Sequence, residues 1–172
     1  MASTDPIPQR AFADATDPAF RVIDLAGTPD WRVGLAAHLL RLDPEERRTR
    51  FLASIGEAGI RAHAARADPL ALVVFAPDGV WRGVAELYRG AGPGVAEIAV
   101  SVEHGWQNRG FGATLTARAT QLARAAGLWD VRLICLRRNL PMLRIAEKLA
   151  AHALPVADWA LALFRLETAE QP

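Results

Sequence analysis

The sequence has few of the features that mark secreted or membrane-bound proteins. Its one cysteine, Cys135, excludes an intrachain disulfide and a zinc site built from cysteines. No apolar run approaches the roughly 18 residues of a membrane span, and the first residues lack the apolar segment of a signal peptide. These absences predict a cytoplasmic protein in a reducing compartment, with no membrane partner.

An excess of charge of one sign is also missing. The chain has 20 Lys and Arg residues and 19 Asp and Glu residues, a formal net charge of +1. Because domains that bind nucleic acids usually carry a clear basic excess, we predict no nucleic-acid partner. No spacing of His, Asp and Glu is typical of a metal site, so we also predict no metal.

The residues that are present are enough for one globular domain. Of the 172 residues, 51% are hydrophobic and 23% are charged, which is ordinary for a globular protein. Residues 1–18 are polar and contain Pro6, Pro8 and Pro18. This composition predicts a flexible N-terminal tail, followed by a single domain over residues 19–172.

Hydrophobic periodicity predicts both helices and strands. Short loops join three successive strands in the middle of the chain, which predicts an antiparallel meander, and the strand–helix–strand order that follows predicts a parallel pair. The predicted helices cover residues 30–41, 43–56, 57–66, 112–126 and 139–151, and the predicted strands cover residues 20–25, 70–75, 80–89, 95–102, 131–136 and 159–166.

A glycine-rich segment follows the fourth predicted strand and opens a helix. It runs from Gln107 to Ala113 with the sequence QNRGFGA. Gly110 and Gly112 remove side chains where a loop turns tightly and approaches a ligand. The free N–H groups and the dipole at a helix start favour an anion, and Arg109 adds a positive charge. The segment is therefore predicted to hold a diphosphate, although two glycines near a helix start can also form a plain turn.

Three types of phosphate-binding loop compete for this segment. A P-loop needs Lys and Ser or Thr after its glycines, and here Ala113 and Thr114 follow. A dinucleotide-binding fingerprint needs a third Gly or Ala where this chain has Leu115. The third type, Q/R-x-x-G-x-G/A, is that of the Gcn5-related N-acetyltransferases (the GNAT family), which this segment resembles residue for residue.

Other segments resemble the same family. AEIAVSVEHGWQNRGFGATL is similar to its fourth strand, loop and third helix, NLPMLRIAEKL to its fourth helix, and LDPEERRTRFL to a segment of one branch. The resemblance covers roughly residues 20–166. It implies an α/β fold with a central mixed, mostly antiparallel sheet of six to seven strands flanked by about four helices. It also implies acetyl-CoA as co-substrate and a small-molecule or peptide amine as acceptor, in a monomer or homodimer.

The resemblance implies a cofactor site on two elements. The family's strand before the loop is bulged and splays from the next parallel strand, and the pantetheine arm lies in that splay. The implied backbone contacts are those of Val100, Ser101 and Val102. Asn139 matches a family asparagine that contacts the same arm, and it is also the predicted cap of its helix. The family's loop amides bind the pyrophosphate, which implies a role for Gln107, Asn108, Arg109, Gly110, Phe111, Gly112 and Ala113.

The implied reaction is direct attack of an amine on the thioester in a ternary complex. A general base is useful because the amine is protonated at neutral pH. Glu97 is the first candidate, since the family often places a glutamate there, and Glu86 on the preceding strand is the second. Many members carry a tyrosine that protonates the leaving thiolate, but this chain has Ala146 at that position. Two alternatives stay open: a non-catalytic CoA-binding sensor or interaction domain, and a transferase for a longer acyl group.

Several ionisable residues are predicted to be solvated rather than functional. Arg50 belongs to a basic helix face that we expect in water, and Glu103 is expected in an exposed loop. His38 and His63 lie on helices that border the acceptor site in the family, but exposed helix positions are the commoner setting for histidine. Cys135 is expected to be a buried strand residue and not a nucleophile.

Overall fold

In a computed structural model, which describes residues 20–25 and 27–167, the chain forms one open seven-stranded sheet with helices on both faces. The strand order is β1-β2-β3-β4-β5-β7-β6, and β4–β5 is the parallel pair. The elements are β1 (Phe20–Ile23), α1 (Trp31–Arg41), α2 (Pro44–Phe51), α3 (Glu57–Arg66), β2 (Ala71–Phe75), β3 (Gly83–Arg89), β4 (Val95–Val102), α4 (Phe111–Ala125), β5 (Asp130–Leu136), α5 (Leu140–Lys148), β6 (His152–Leu154) and β7 (Leu161–Glu167).

This architecture confirms the predicted mixed, mostly antiparallel sheet of six to seven strands, with five helices where about four were expected. The meander of β2, β3 and β4 and the parallel crossover to β5 are both present. The expected N-terminal tail, residues 1–18, lies outside the described residues. None of the helices in the described part is long and apolar enough to span a membrane.

Two hydrophobic cores lie on opposite faces of the sheet. All five residues of β2 are buried, because side chains alternate along a strand. Ala71, Val73 and Phe75 face one core, and Leu72 and Val74 face the other. Helix α4 covers the first core with Leu115 and Leu122, and α1 and α3 cover the second. A strand buried on both faces explains why the sequence of β2 is continuously apolar.

Helix α2 is shorter than predicted. We expected it to end at Gly56, but it ends at Phe51, and Leu52 adopts a left-handed backbone with φ of 57°. The turn lets Phe51 and Ile55 both pack against the second core, and Gly56 becomes the residue that precedes α3. The predicted start of α2 at Asp43 is confirmed, and a capping box fixes it, because Asp43 and Glu46 each accept the other's backbone N–H.

Side chains that bond to nearby backbone also shorten two strands. β3 was predicted from Val80 but begins at Gly83, since the Asp78 carboxylate accepts the Val80 N–H at 3.1 Å and extends the hairpin loop. β7 was predicted from Trp159 but begins at Leu161, because Asp158 accepts the Ala160 N–H in a turn. The three-residue strand β6 is too short for its periodicity to be read from the sequence.

β4 and β5 separate halfway along their length. They pair from Val95↔Asp130 to Ile98↔Leu133 and share no pairing beyond that point, although β4 continues to Val102. The outer half of β4 stays paired with β3, and that of β5 with β7. The implied splay is therefore present, whereas the implied bulge is not, because β3 and β4 pair one to one throughout.

Candidate active site

A cleft of about 870 Å³ opens where β4 and β5 separate. Helix α2 borders one side, α5 borders the other, and the start of α4 closes one end. Of the thirteen residues predicted to act in catalysis or cofactor binding, Glu86, Arg109 and Phe111 do not line it. The others do: Glu97, Val100, Ser101, Val102, Gln107, Asn108, Gly110, Gly112, Ala113 and Asn139.

The hydrogen-bond alternation of β4 determines which backbone groups face the cleft. The Gly90 N–H bonds to the Val95 carbonyl at one end of the β3–β4 ladder, and the Glu103 N–H bonds to the Arg82 carbonyl at the other. Antiparallel pairs alternate, so Ser101 directs its backbone to β3, while Val100 and Val102 direct theirs to the cleft. Of the three strand residues implied for cofactor binding, Ser101 therefore offers its side chain and not its backbone.

The glycine-rich loop turns sharply into α4. Asn108 and Gly110 have left-handed backbones with φ of 60° and 85°, and α4 begins at the next residue, Phe111. The first turn of a helix leaves N–H groups without intrahelical partners, and here they lie at the end of the cleft. A Cβ added at Gly112 would come within 2.9 Å of the Ile145 side chain on α5. The small residue thus keeps this end of the cleft narrow but open.

Two loop residues turn their side chains away from the cleft. The Phe111 ring stacks on Phe75 in the first core, with centroids 3.7 Å apart. The Arg109 guanidinium lies over the Trp106 ring at 5.0 Å and donates to the Gly105 carbonyl at 3.0 Å. The cleft lining instead has Arg138, Arg144 and Lys148, besides Arg50, whose charge is paired with Glu86.

Asn139 and Gln107 line the cleft, and the side chain of each makes hydrogen bonds that fix the elements around it. The Asn139 side chain accepts the Met142 N–H at 3.2 Å, which confirms its predicted role as a cap. The Gln107 amide donates to the Val102 carbonyl at 2.8 Å and to Glu46 at 2.7 Å, and so ties the loop to α2. Burial is the main cause that raises the pKa of Glu46.

The two carboxylates proposed as bases have different surroundings. Glu97 is exposed in the cleft, opposite Tyr88 in the β3–β4 register. Glu86 is fully buried and outside the cleft lining, and it accepts from Tyr88 Oη at 2.5 Å, from His63 Nε2 at 3.2 Å and from Arg50. Burial would raise its pKa, but the Arg50 charge and these hydrogen bonds lower it to about 2. Glu97 is the better placed of the two to take a proton from a ligand.

Three residues that we expected in water are buried. His38 is 0% exposed, and its Nε2 lies 2.9 Å from Ser101 Oγ. Glu103 is buried where Arg41 and Arg82 bind its two oxygens. Arg50 is buried against Glu86. For His38 the sequence held a usable signal, because it falls on the helical face that also contains Leu35 and Leu42.

Neither Cys135 nor Tyr88 is suited to protonate the leaving thiolate, the role of the family tyrosine that this chain replaces with Ala146. Cys135 lies at the cleft, but burial raises its pKa to about 11, which keeps it a neutral thiol. Tyr88, the chain's single tyrosine, donates to Glu86 and does not line the cleft. Ala146 is fully buried.

One group of possible metal ligands lies at the rim of the cleft within the described ranges. Ligand atoms of Asp43, Glu46 and His104 lie within 4.8 Å of one another. Asp43 and Glu46 already accept backbone N–H groups in their capping box.

The chain is similar to a known protein family in sequence and to solved proteins in structure. Residues 31–151 match the sequence profile of the "Acetyltransferase (GNAT) family". No curated protein sequence matches the chain. Among solved structures, the GNAT domain of S. lividans PAT has a TM-score of 0.71 at 18% identity, covering 86% of this chain and 89% of that one.

Two further structures that share the fold were solved with a ligand. yncA from Salmonella typhimurium, with its cofactor acetyl-CoA, has a TM-score of 0.57 at 18% identity over 89% of this chain and 95% of that one. A Bacillus subtilis acetyltransferase in complex with CoA has a TM-score of 0.55 at 15% identity over 73% of this chain and 92% of that one. At these identities the likeness establishes the fold.

Proposed function

Because the chain belongs to the GNAT acetyltransferase family, we propose that it transfers an acetyl group from acetyl-CoA to an amine. The observation that carries this proposal is the cleft between β4 and β5, whose free backbone edge leads into a helix start. An acyl-CoA needs both features, since it has peptide-like amides along its arm and a diphosphate at one end. The solved structures with acetyl-CoA or CoA support the same co-substrate.

The residues present fit such a ligand. Val100 and Val102 offer strand backbone that can pair with the amides of the arm, as an added strand pairs with a sheet edge. The N–H groups of Gly112 and Ala113 and the α4 dipole suit the diphosphate. Arg144 at the cleft wall adds positive charge.

Bond formation in this proposal needs a neutral amine. Glu97 stands exposed in the cleft and can take a proton from an ammonium group of the acceptor. The amine then attacks the thioester carbon directly in a ternary complex, and the C–S bond breaks. A free Val100 N–H can stabilise the oxyanion that forms on the carbonyl oxygen.

The acceptor enters from the side of α2. Thr49, Arg50, Phe51 and Leu52 line that part of the cleft, opposite the basic wall formed by α5. A small-molecule or peptide amine is the acceptor class that we propose.

Calorimetry and a thiol-release assay test the proposal. We expect acetyl-CoA to bind at sub-millimolar concentration, and CoA thiol to appear only when an amine is added from a panel of amino acids, polyamines and lysine peptides. Binding without release under any amine would favour the non-catalytic sensor, which the alanine at position 146 already motivates. No binding would overturn the CoA site itself, and faster release from a longer acyl-CoA would identify a different acyl donor.

A further inference from the structure

A buried histidine reaches the cleft through one hydroxyl group. Ser101 is a residue of the cleft lining, and its Oγ lies 2.9 Å from His38 Nε2. The other ring nitrogen, Nδ1, lies 3.1 Å from the Trp81 carbonyl oxygen and 3.7 Å from Glu103 Oε1. His38 has no exposed surface, and Ser101 Oγ is the group in contact with its Nε2.

The partners of His38 define where its protons lie. A carbonyl oxygen can only accept, so the Trp81 carbonyl requires a proton on Nδ1. In the neutral ring, Nε2 then accepts the Ser101 hydroxyl proton. In the imidazolium, Nε2 donates to Ser101 Oγ, and the serine hydroxyl proton is free to point into the cleft. The pair can therefore store a proton and return it through the same oxygen.

One carboxylate and two guanidinium groups surround His38. Glu103 faces it from the residue after β4; burial would raise the pKa of this carboxylate, but its interactions with His38, Arg41 and Arg82 lower it to about 2. Arg41 on α1 and Arg82 on the β2–β3 hairpin are held to the same carboxylate at 2.7 and 2.9 Å. The Glu103 carboxylate stands 3.7 Å from Nδ1, the side from which the carboxylate of a catalytic triad orients its histidine.

We propose that Ser101 and His38 form a proton relay, which carries a proton from the attacking amine to the leaving thiolate; this inference rests on the proposed function. Ser101 lies between Val100 and Val102, whose backbone edge the arm follows in the proposed function, and the relay places its hydroxyl beside the reacting thioester. The relay supplies the acid that neither Tyr88 nor Ala146 can provide.

The relay gains and loses equal numbers of protons, so Ser101 and His38 end in the states in which they began. After the neutral amine forms its bond to the thioester carbon, the positively charged nitrogen gives one proton to Ser101 Oγ as the serine proton passes to His38 Nε2. The C–S bond then breaks, its electron pair stays on sulfur, and the serine proton moves to the thiolate as His38 returns its proton to Ser101. The net result is one proton moved from nitrogen to sulfur. Glu97 removes only the earlier proton of the ammonium group.

Four variants test the relay in the full chain. Ser101→Ala removes the hydroxyl, His38→Gln keeps hydrogen-bonding groups but cannot carry the proton, and the double variant combines them. We expect kcat to fall by about a hundredfold in each single variant, because general acid–base catalysis typically contributes a factor of this order. The double variant should be no slower than the single ones, since both remove one unit. Thr120→Val is the matched control, because it removes a buried hydroxyl that donates to a helix carbonyl of α4.

Further measurements separate the relay from a structural role. Because both positions are buried, the melting temperature should fall moderately, while the variants stay folded at the assay temperature and keep the wild-type Kd for acetyl-CoA. Ser101→Thr, which retains a hydroxyl, should recover most of kcat. A His38→Gln variant as fast as the wild type, or single effects that multiply in the double variant, would overturn the relay and leave the proposed function intact. If Ser101→Ala does not fold, His38→Gln and Ser101→Thr carry the test. If the wild type releases no thiol with any amine, the proposed function fails and the relay fails with it.

Discussion

Arg50 and Glu86 form a buried ion pair that joins α2 to strand β3. Their side chains are 8% and 1% exposed, and the same carboxylate also accepts from Tyr88 and His63. Arg50 reaches Glu86 across 36 positions of sequence while its helix forms one wall of the cleft. The pair therefore holds the α2 wall of the cleft against the sheet, and Glu86, a candidate base by sequence, serves as an anchor.

Replacement of Glu86 should lower the free energy of unfolding. Glu86→Gln leaves the Arg50 charge buried without a counter-charge, and breaking such a pair typically costs about 3–5 kcal/mol. The measurement is the free energy of unfolding in urea. Glu97→Gln is the control, because this exposed carboxylate should change stability by about 0.5 kcal/mol or less. Equal effects of the two variants would contradict the anchoring role.

The free energy of unfolding should fall in acid because the folded chain holds Glu86 and Glu103 in their charged form. The pKa values of Glu86 and Glu103 are lowered from 4.5 to about 2 in the folded chain. A lowered pKa means that the unfolded chain binds more protons, so the stabilisation is fully present above pH 4.5 and is lost as pH falls toward 2. Urea midpoints between pH 7 and pH 2.5 should follow this course. Glu86→Gln should have a shallower acid slope, and an unchanged slope would show that Glu86 is not a cause of the decline.

A bulky residue at Gly112 should block the diphosphate end of the cleft. Gly112→Val places atoms against Ile145 and over the first N–H groups of α4, so we expect Kd for acetyl-CoA to rise by about tenfold or more. Calorimetry measures the change. Gly105→Ala is the matched control, because a Cβ there meets no atom within 4 Å and should leave Kd unchanged. Retained affinity in Gly112→Val would exclude this helix start as the diphosphate site.

Removal of the candidate base should change the pH dependence of the rate. Glu97→Gln should depress kcat/KM most at low pH, where the acceptor amine carries its proton and needs a base to remove it. At high pH the free amine needs no base, and the two rates should approach each other. Glu57→Gln, on the exposed side of α3, is the control. A pH profile of Glu97→Gln that parallels the wild type would remove Glu97 from the mechanism.

Local features of the fold and of the site could be read from the sequence. The capping box of Asp43 and Glu46, the cap formed by Asn139 and the left-handed Gly127 after α4 all follow from residues a few positions apart. The glycine-rich segment before α4 belongs to the same class, since a helix start exposes N–H groups wherever it occurs. A periodic apolar pattern likewise sufficed for most helices and strands.

The sequence by itself determined these elements, because each depends on backbone preferences and contacts within one or two turns of chain. Only the tertiary structure decided where β4 and β5 part, because strand pairing is formed between distant segments. It also decided that His38 is buried against Ser101 and Glu86 against Arg50, partners 63 and 36 positions away. Burial, ion pairing and proton exchange depend on what packs against a side chain, and that is a property of the folded chain as a whole.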